Sequence, residues 1–184
     1  MTTEHAASPP CPHAPGPDDR EWGLAVSTAE ETASLAARVG AVSDAGDVIA
    51  LWGDLGAGKT TFCRALVHDR AGDGEEVPSP TFTLVQIYEP PESAPVWHFD
   101  LYRLNGPEDI WELGFDDALE DAVSLIEWPE RLGRQLPLRR LDVELCFAPD
   151  LGPTARRLRL IGRGPDWARR VDRLETEHGA ADGD

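Results

Sequence analysis

Gly53-Asp54-Leu55-Gly56-Ala57-Gly58-Lys59-Thr60 fits the phosphate-binding pattern G-x-x-x-x-G-K-[ST] at every fixed position. Before it runs Asp47-Val48-Ile49-Ala50-Leu51-Trp52, an apolar stretch of buried-strand length. After it, Thr60-Thr61-Phe62-Cys63-Arg64-Ala65-Leu66-Val67 has helical spacing at Phe62, Ala65 and Leu66. The motif therefore joins a strand to a helix. Lys59 is the only lysine in the chain; the other basic residues are sixteen arginines. A compact ammonium on a flexible stem reaches where a planar guanidinium does not, and here that place is the outer phosphates of a nucleotide.

The loop's chemistry predicts a cofactor site. Glycines at 53, 56 and 58 permit positive φ and close approach of main-chain N–H groups to an anion. The helix starting near Gly58 adds its positive dipole end. The stretch Asp54, Leu55, Gly56, Ala57, Gly58, Lys59, Thr60 and Thr61 is the candidate ATP-binding segment, with the Thr60 hydroxyl placed for Mg2+.

At 184 residues the chain suits one α/β domain with a single core. Its apolar runs fall far short of the ~20 residues needed to span a bilayer, so no membrane association is expected. Residues 1–20 lack the basic and apolar regions of a signal peptide and read as a disordered leader. Cys11, Cys63 and Cys146 are odd in number and widely spaced, which argues against disulfides or a zinc ribbon and fits a reducing cytoplasm. His5, Cys11 and His13 lie in a Pro-rich stretch with nothing to fix ligand geometry, and a solvated tail is the favoured reading.

The net charge is −17, and twelve acidic residues against one basic residue, Arg103, lie between Glu89 and Glu130. Such a surface repels a phosphate backbone, so direct binding of nucleic acid is not expected. It serves either solubility or contact with a basic protein partner.

Further elements follow in order. Residues 22–26 read as an edge strand, and Ser27 with Glu30 as a capping box opening a helix with Leu35, Ala36 and Val39 inward. Residues 71–79 read as a mobile loop. Residues 81–88 and 96–102 read as a hairpin, 107–113 as a short helix opened by Pro107, and 122–126 as a buried strand. Residues 141–147 and 156–161 alternate like a final antiparallel pair. The expected architecture is a P-loop NTPase-like three-layer α/β sandwich, a parallel core sheet with antiparallel additions. Residues 21–163 form the domain, and 164–184 form a polar tail that has room for one helix.

An ATPase must also hold Mg2+ and orient a water. Glu127 falls at the carboxyl end of an apolar strand, where ligands bind in open α/β sheets. Asp100 shares a strand face with His98, two residues away.

Five stretches in series resemble the TsaE family, also called YjeE. They are residues 53–61, Ser79-Pro80-Thr81-Phe82, His98-Phe99-Asp100-Leu101-Tyr102-Arg103-Leu104, Glu112-Leu113-Gly114 and Ile126-Glu127-Trp128-Pro129-Glu130. The resemblance runs from about residue 22 to residue 162, leaving out the leader, the ending and the acidic loop at 71–76. It implies a bacterial P-loop ATPase required for threonylcarbamoylation of adenosine 37 in tRNAs that read codons starting with A. It implies that Lys59 cradles phosphates, that Thr60 and Glu127 hold Mg2+, and that Asp100 acts near the γ-phosphate or its water, at or beside the metal. It implies too that Thr81 is switch-like and that Trp128 lies by the nucleotide. Through the resemblance, TsaD and TsaB are the expected partners, with tRNA met only through their complex.

Two other P-loop classes compete with this reading. A small-molecule kinase would use Arg131, Arg134, Arg139 and Arg140 as a phosphate lid. A GTPase needs Asn-Lys-x-Asp to read guanine, and the only lysine is already in the loop.

Overall fold

Two strands buried at every residue, β2 (Val48–Trp52) and β5 (Val123–Glu127), pair in parallel at the centre of the sheet. Their sequences, Val48-Ile49-Ala50-Leu51-Trp52 and Val123-Ser124-Leu125-Ile126-Glu127, are mostly apolar without alternation, as suits a sheet covered on each face. The computed structural model describes residues 14–72 and 76–181. Around the central pair lie β1 (Arg20–Val26), β3 (Val85–Tyr88), β4 (Val96–Asp100), β6 (Arg140–Phe147) and β7 (Arg156–Arg163). The sheet has seven strands in the order β1-β7-β6-β2-β5-β4-β3. Strands β6, β2, β5 and β4 run parallel, while β3, β7 and β1 are antiparallel additions at the two sides.

Helices cover both faces, which makes the three layers. On one face α1 (Ala29–Ala41) and α2 (Lys59–Ala71) pack with Leu35, Val39, Phe62 and Leu66 against Ile49, Leu51 and Leu125. On the other, a 3₁₀ segment at Pro107–Leu113 and α3 (Phe115–Asp121) enclose Phe99, Ile110, Phe115 and Ile126. No helix among the described residues is long and apolar enough to cross a membrane.

Several boundaries differ from the sequence reading. The cap of α1 is Thr28, whose hydroxyl accepts from Glu31 N at 3.2 Å, while Ser27 N donates to Glu31 Oε2 at 2.7 Å. The Ser27/Glu30 box is thus displaced by one residue, because Thr28-x-x-Glu31 repeats the same pattern in the phase that buries Leu35, Ala36 and Val39. The strand expected over 81–88 begins only at Val85, since Leu84 sits at φ 66° and the chain turns before it. Strand β4 stops at Asp100, whose Oδ1 accepts from Tyr102 N at 3.1 Å and turns the backbone away. Strand β6 is more than half of an antiparallel pair, because its other edge joins β2 in parallel.

The polar ending forms α4 (Pro165–Ala181), with Trp167, Val171 and Leu174 buried in the core on one face. It belongs to the domain and is not a tail. At the other end, residues 14–19 are tied down, with Ala14 O and Asp19 Oδ2 accepting from Arg163 NH1 at 3.1 and 3.0 Å. The rest of the expected leader, with His5, Cys11 and His13, and residues 73–75 of the acidic loop lie outside the described residues.

Candidate nucleotide site

The turn from β2 into α2 leaves the sheet at the carboxyl ends of its parallel strands. At Gly53 an added Cβ would stand 2.3 Å from Leu145 O, so only glycine lets the loop pass β6. Gly58, at φ 113°, caps α2 with no side-chain hydrogen bond, which leaves the first N–H groups of the helix for another acceptor.

Lys59 is the first residue of α2 and is buried. Its Nζ donates to Gly53 O at 2.6 Å and Asp54 O at 2.9 Å, and lies 3.9 Å from the centre of the Trp128 ring. Burial pulls the ammonium below its ordinary lysine value, against the opposing pull of Glu127, Glu130, Asp100 and Asp54.

Strand register brings the two acids together. Asp100 of β4 is the direct partner of Glu127 of β5, and Glu127 is that of Leu51 of β2. Both carboxylates are buried and held by hydroxyls, one from the start of α2 and two from the turn before β3. Thr60 Oγ1 donates to Glu127 at 2.9 and 3.1 Å, and His98 Nε2 lies 2.9 Å from Glu127 Oε1. Asp100 Oδ2 accepts from Thr81 Oγ1 at 2.7 Å and from Ser79 Oγ at 3.0 Å. Trp128 follows in the left-handed region at φ 60°, a conformation a bulky side chain holds only when its surroundings require it. Its ring rests 5.0 Å from that of Tyr102.

One cavity of about 200 Å³ collects these groups: Leu55, Gly56, Gly58, Lys59, Thr60, Thr61, Thr81, Asp100, Glu127 and Trp128 all line it. Of the candidate residues, Asp54 and Ala57 stay outside it and take part through the backbone, Asp54 O accepting from Lys59 and Ala57 O from Arg156.

Three contributors escaped the sequence reading. Ser79 stands in the sequence only as part of a family motif, and His98 only as a neighbour of Asp100 on one strand face. Arg156 of β7 donates from Nε to Ala57 O at 3.0 Å, gripping the loop from almost a hundred residues away. No local pattern signals such a contact.

Of the four arginines considered for a kinase lid, Arg139 and Arg140 sit elsewhere, while Arg131 and Arg134 lie in the segment Pro129–Gln135 that follows Trp128. Arg140 opens β6 at the opposite end of the sheet, with Nε 2.7 Å from the buried Asp142. Arg139 bridges Asp47 and Asp166 at 2.9 and 2.8 Å. The reason is direction: β6 runs parallel to β2, so its first residues lie far from the end of β2 where the loop begins.

Residues 26–152 match the family described as threonylcarbamoyl adenosine biosynthesis protein TsaE. The chain belongs to the TsaE family. A protein of Rickettsia bellii named tRNA threonylcarbamoyladenosine biosynthesis protein TsaE is 39% identical over 125 residues, covering 68% of this chain and 86% of the relative. A TsaE protein of the same name from Mycobacterium tuberculosis is 40% identical over 124 residues, covering 63% and 73%. Among solved structures, Bacillus subtilis YdiB superposes with a TM-score of 0.70 at 27% identity, covering 87% of this chain and 97% of YdiB. The TsaE family match ends before β7 and α4, yet the structural likeness extends to most of the chain.

Proposed function

We propose that this TsaE protein is a magnesium-dependent ATPase that serves threonylcarbamoylation of adenosine 37 in tRNAs reading ANN codons, acting on the TsaB-TsaD complex. One observation carries the ATPase reading. The uncapped start of α2, the sole lysine, a threonine hydroxyl bonded to Glu127 and a second hydroxyl-held carboxylate all face one cavity.

The residues fit both groups. Gly53 and Gly58 form a cradle that a Cβ would obstruct or strain, and the unpaired N–H groups above it suit the phosphates of ATP. Thr60 and Glu127 offer the hard oxygen ligands that Mg2+ takes, with Asp100 on the neighbouring strand. When bound, Mg-ATP supplies the phosphoanhydride bond and its charge shielding. Lys59, whose Nζ lies at the loop carbonyls of Gly53 and Asp54, would hold the phosphates and offset their charge. Asp100, fixed by Thr81 and Ser79, orients the attacking water. Trp128 and Tyr102 exclude solvent on the outer side.

Membership of the family supports the tRNA role, and the acidic exposed side chains Glu108, Glu112, Asp116 and Asp117 favour a protein surface over RNA. The test is calorimetry with Mg-ATP on the parent and Lys59→Ala, followed by hydrolysis with and without TsaB and TsaD. The parent binds and is slow alone, since its pocket holds no free arginine among the described residues, and TsaB with TsaD accelerate it. Lys59→Ala loses binding while staying folded. Equal affinity in a folded Lys59→Ala protein refutes the reading.

A further inference from the structure

Below the nucleotide cavity, on the α2 side of the sheet, Cys63, His98 and Glu127 each bring one metal-ligating atom to within 4.8 Å of the others. The fold dictates this meeting. Cys63 lies one turn beyond Lys59 on the face of α2 that meets the sheet, and His98 and Glu127 come from the adjacent parallel strands β4 and β5. All three are buried, Cys63 and His98 completely.

A second observation concerns the imidazole. His98 Nε2 is engaged with Glu127, but Nδ1 is buried without a hydrogen-bond partner in the structure. A buried polar atom left unpaired carries a desolvation cost that an apolar side chain in the same slot would not. Orienting Glu127 needs only one ring nitrogen. An imidazole, a thiol and a shared carboxylate in one buried cluster form a donor set without a ligand of its own in the Mg-ATP reading.

We propose that Cys63, His98 and Glu127 form a site for a thiophilic divalent ion, zinc above all, which competes with Mg2+ for Glu127. Thiolate, imidazole and carboxylate are zinc's own ligand types, and closing to bonds of about 2.0–2.3 Å requires the ligand atoms to approach by roughly an ångström. Mg2+ takes oxygen ligands and does not recruit the sulfur. Burial first, with Glu127 and Asp100 alongside, pushes the Cys63 thiol well above its ordinary value. The resting group is S–H, and each ion bound releases one proton to solvent with no change of oxidation state. Glu127 then has two alternative settings: with Thr60 toward hard Mg2+, or with Cys63 and His98 toward a soft ion. The competition rests on the magnesium assignment above; ion binding at Cys63 does not.

Full-length protein titrated with Co2+ alone tests the site, because thiolate-to-cobalt charge transfer gives an absorption band that carboxylate and imidazole ligation lack. In Cys11→Ser/Cys146→Ser, where Cys63 is the sole thiol, the band persists. Cys63→Ser abolishes it with thermal unfolding still cooperative, and His98→Gln weakens cobalt affinity roughly 10–100-fold. No band in the double variant, or a band that follows Cys11 or Cys146, overturns the site, even if Cys63→Ser proves unstable. For the competition, ATP hydrolysis is compared with and without Zn2+ within each variant. Zinc inhibits the double variant, excess Mg2+ relieves the inhibition, and Cys63→Ser is insensitive. A cobalt band at Cys63 with hydrolysis untouched by zinc overturns the sharing of Glu127 and leaves ion binding standing.

Discussion

Glu127→Gln removes one charge and keeps the shape of the side chain, so it separates metal chemistry from architecture. In the folded protein the carboxylate accepts from Thr60 Oγ1 at 2.9 and 3.1 Å and meets His98 Nε2 at 2.9 Å. Making those bonds neutral costs on the order of 1 kcal/mol each. Burying an amide in place of a carboxylate that is 3% exposed works in the opposite direction. The terms oppose, and net stability should change by about 1 kcal/mol or less. The effect on chemistry is larger. A unit charge about 4 Å from its partner, at an effective dielectric near 20, is worth about 4 kcal/mol. If most of that is felt in the transition state, the rate falls by roughly 10³.

The assay is single-turnover hydrolysis with saturating Mg-ATP, alongside calorimetric affinity and thermal unfolding. Affinity should hold within about tenfold, because Lys59 and the loop N–H groups still contact the phosphates. In a reconstituted system the variant should bind TsaB-TsaD but fail to sustain repeated rounds of tRNA modification. Hydrolysis within tenfold of the parent would refute the metal assignment. A parallel loss of affinity and rate would make Glu127 a ground-state binding residue.

Asp100→Asn should lower hydrolysis at least tenfold with little change in ATP affinity, whereas Thr81→Ala, with Ser79 still donating to Asp100, should cost about 1 kcal/mol or roughly fivefold in rate. Lys59 binds phosphate as an ammonium, and burial depresses its folded value, so ATP affinity should fall with rising pH before the ordinary lysine range is reached; calorimetry across alkaline pH with constant affinity would contradict this. Trp167→Ala, cutting a fully buried ring out of α4, should destabilise the fold by about 3–5 kcal/mol in urea unfolding while ATP affinity per folded molecule is kept.

The central features were legible because they are local. The loop's glycines, its lysine and the apolar runs on either side sit within twenty residues, and periodicity alone separates strand from helix there. Glu127 was legible as the end of a buried strand. What stayed hidden depends on contacts distant in sequence. Thr81, Phe82 and Leu84 have strand-forming side chains, yet the hydroxyl of Thr81 bonds to Asp100 and Leu84 O accepts from Asp100 N at 3.0 Å, so this stretch turns before β3 begins. Arg156 reaching the Gly53–Thr60 loop, and Arg140 lying at the far end of the sheet from it, required the strand order, which a strand's own composition does not encode.

That strand order also gives the carboxylate pair its logic. Asp100 and Glu127 end adjacent parallel strands in direct register, yet each is held by a different loop: Glu127 by Thr60 at the start of α2, Asp100 by Ser79 and Thr81 ahead of β3. The pair therefore links the phosphate loop to a turn whose next residue, Phe82, is 83% exposed with Arg103 4.7 Å from its ring centre. A shift at Asp100 has to travel only through one hydroxyl and one peptide to reach the surface. The backbone there is already held in the left-handed region at Leu84, and Trp128 is held likewise on the Glu127 side. Strain of this kind persists where the surroundings impose it and relaxes when they change. If Asp100 serves the proposed hydrolysis, a switch-like Thr81 would act through this one bond, which joins the Asp100 carboxylate to an exposed aromatic turn.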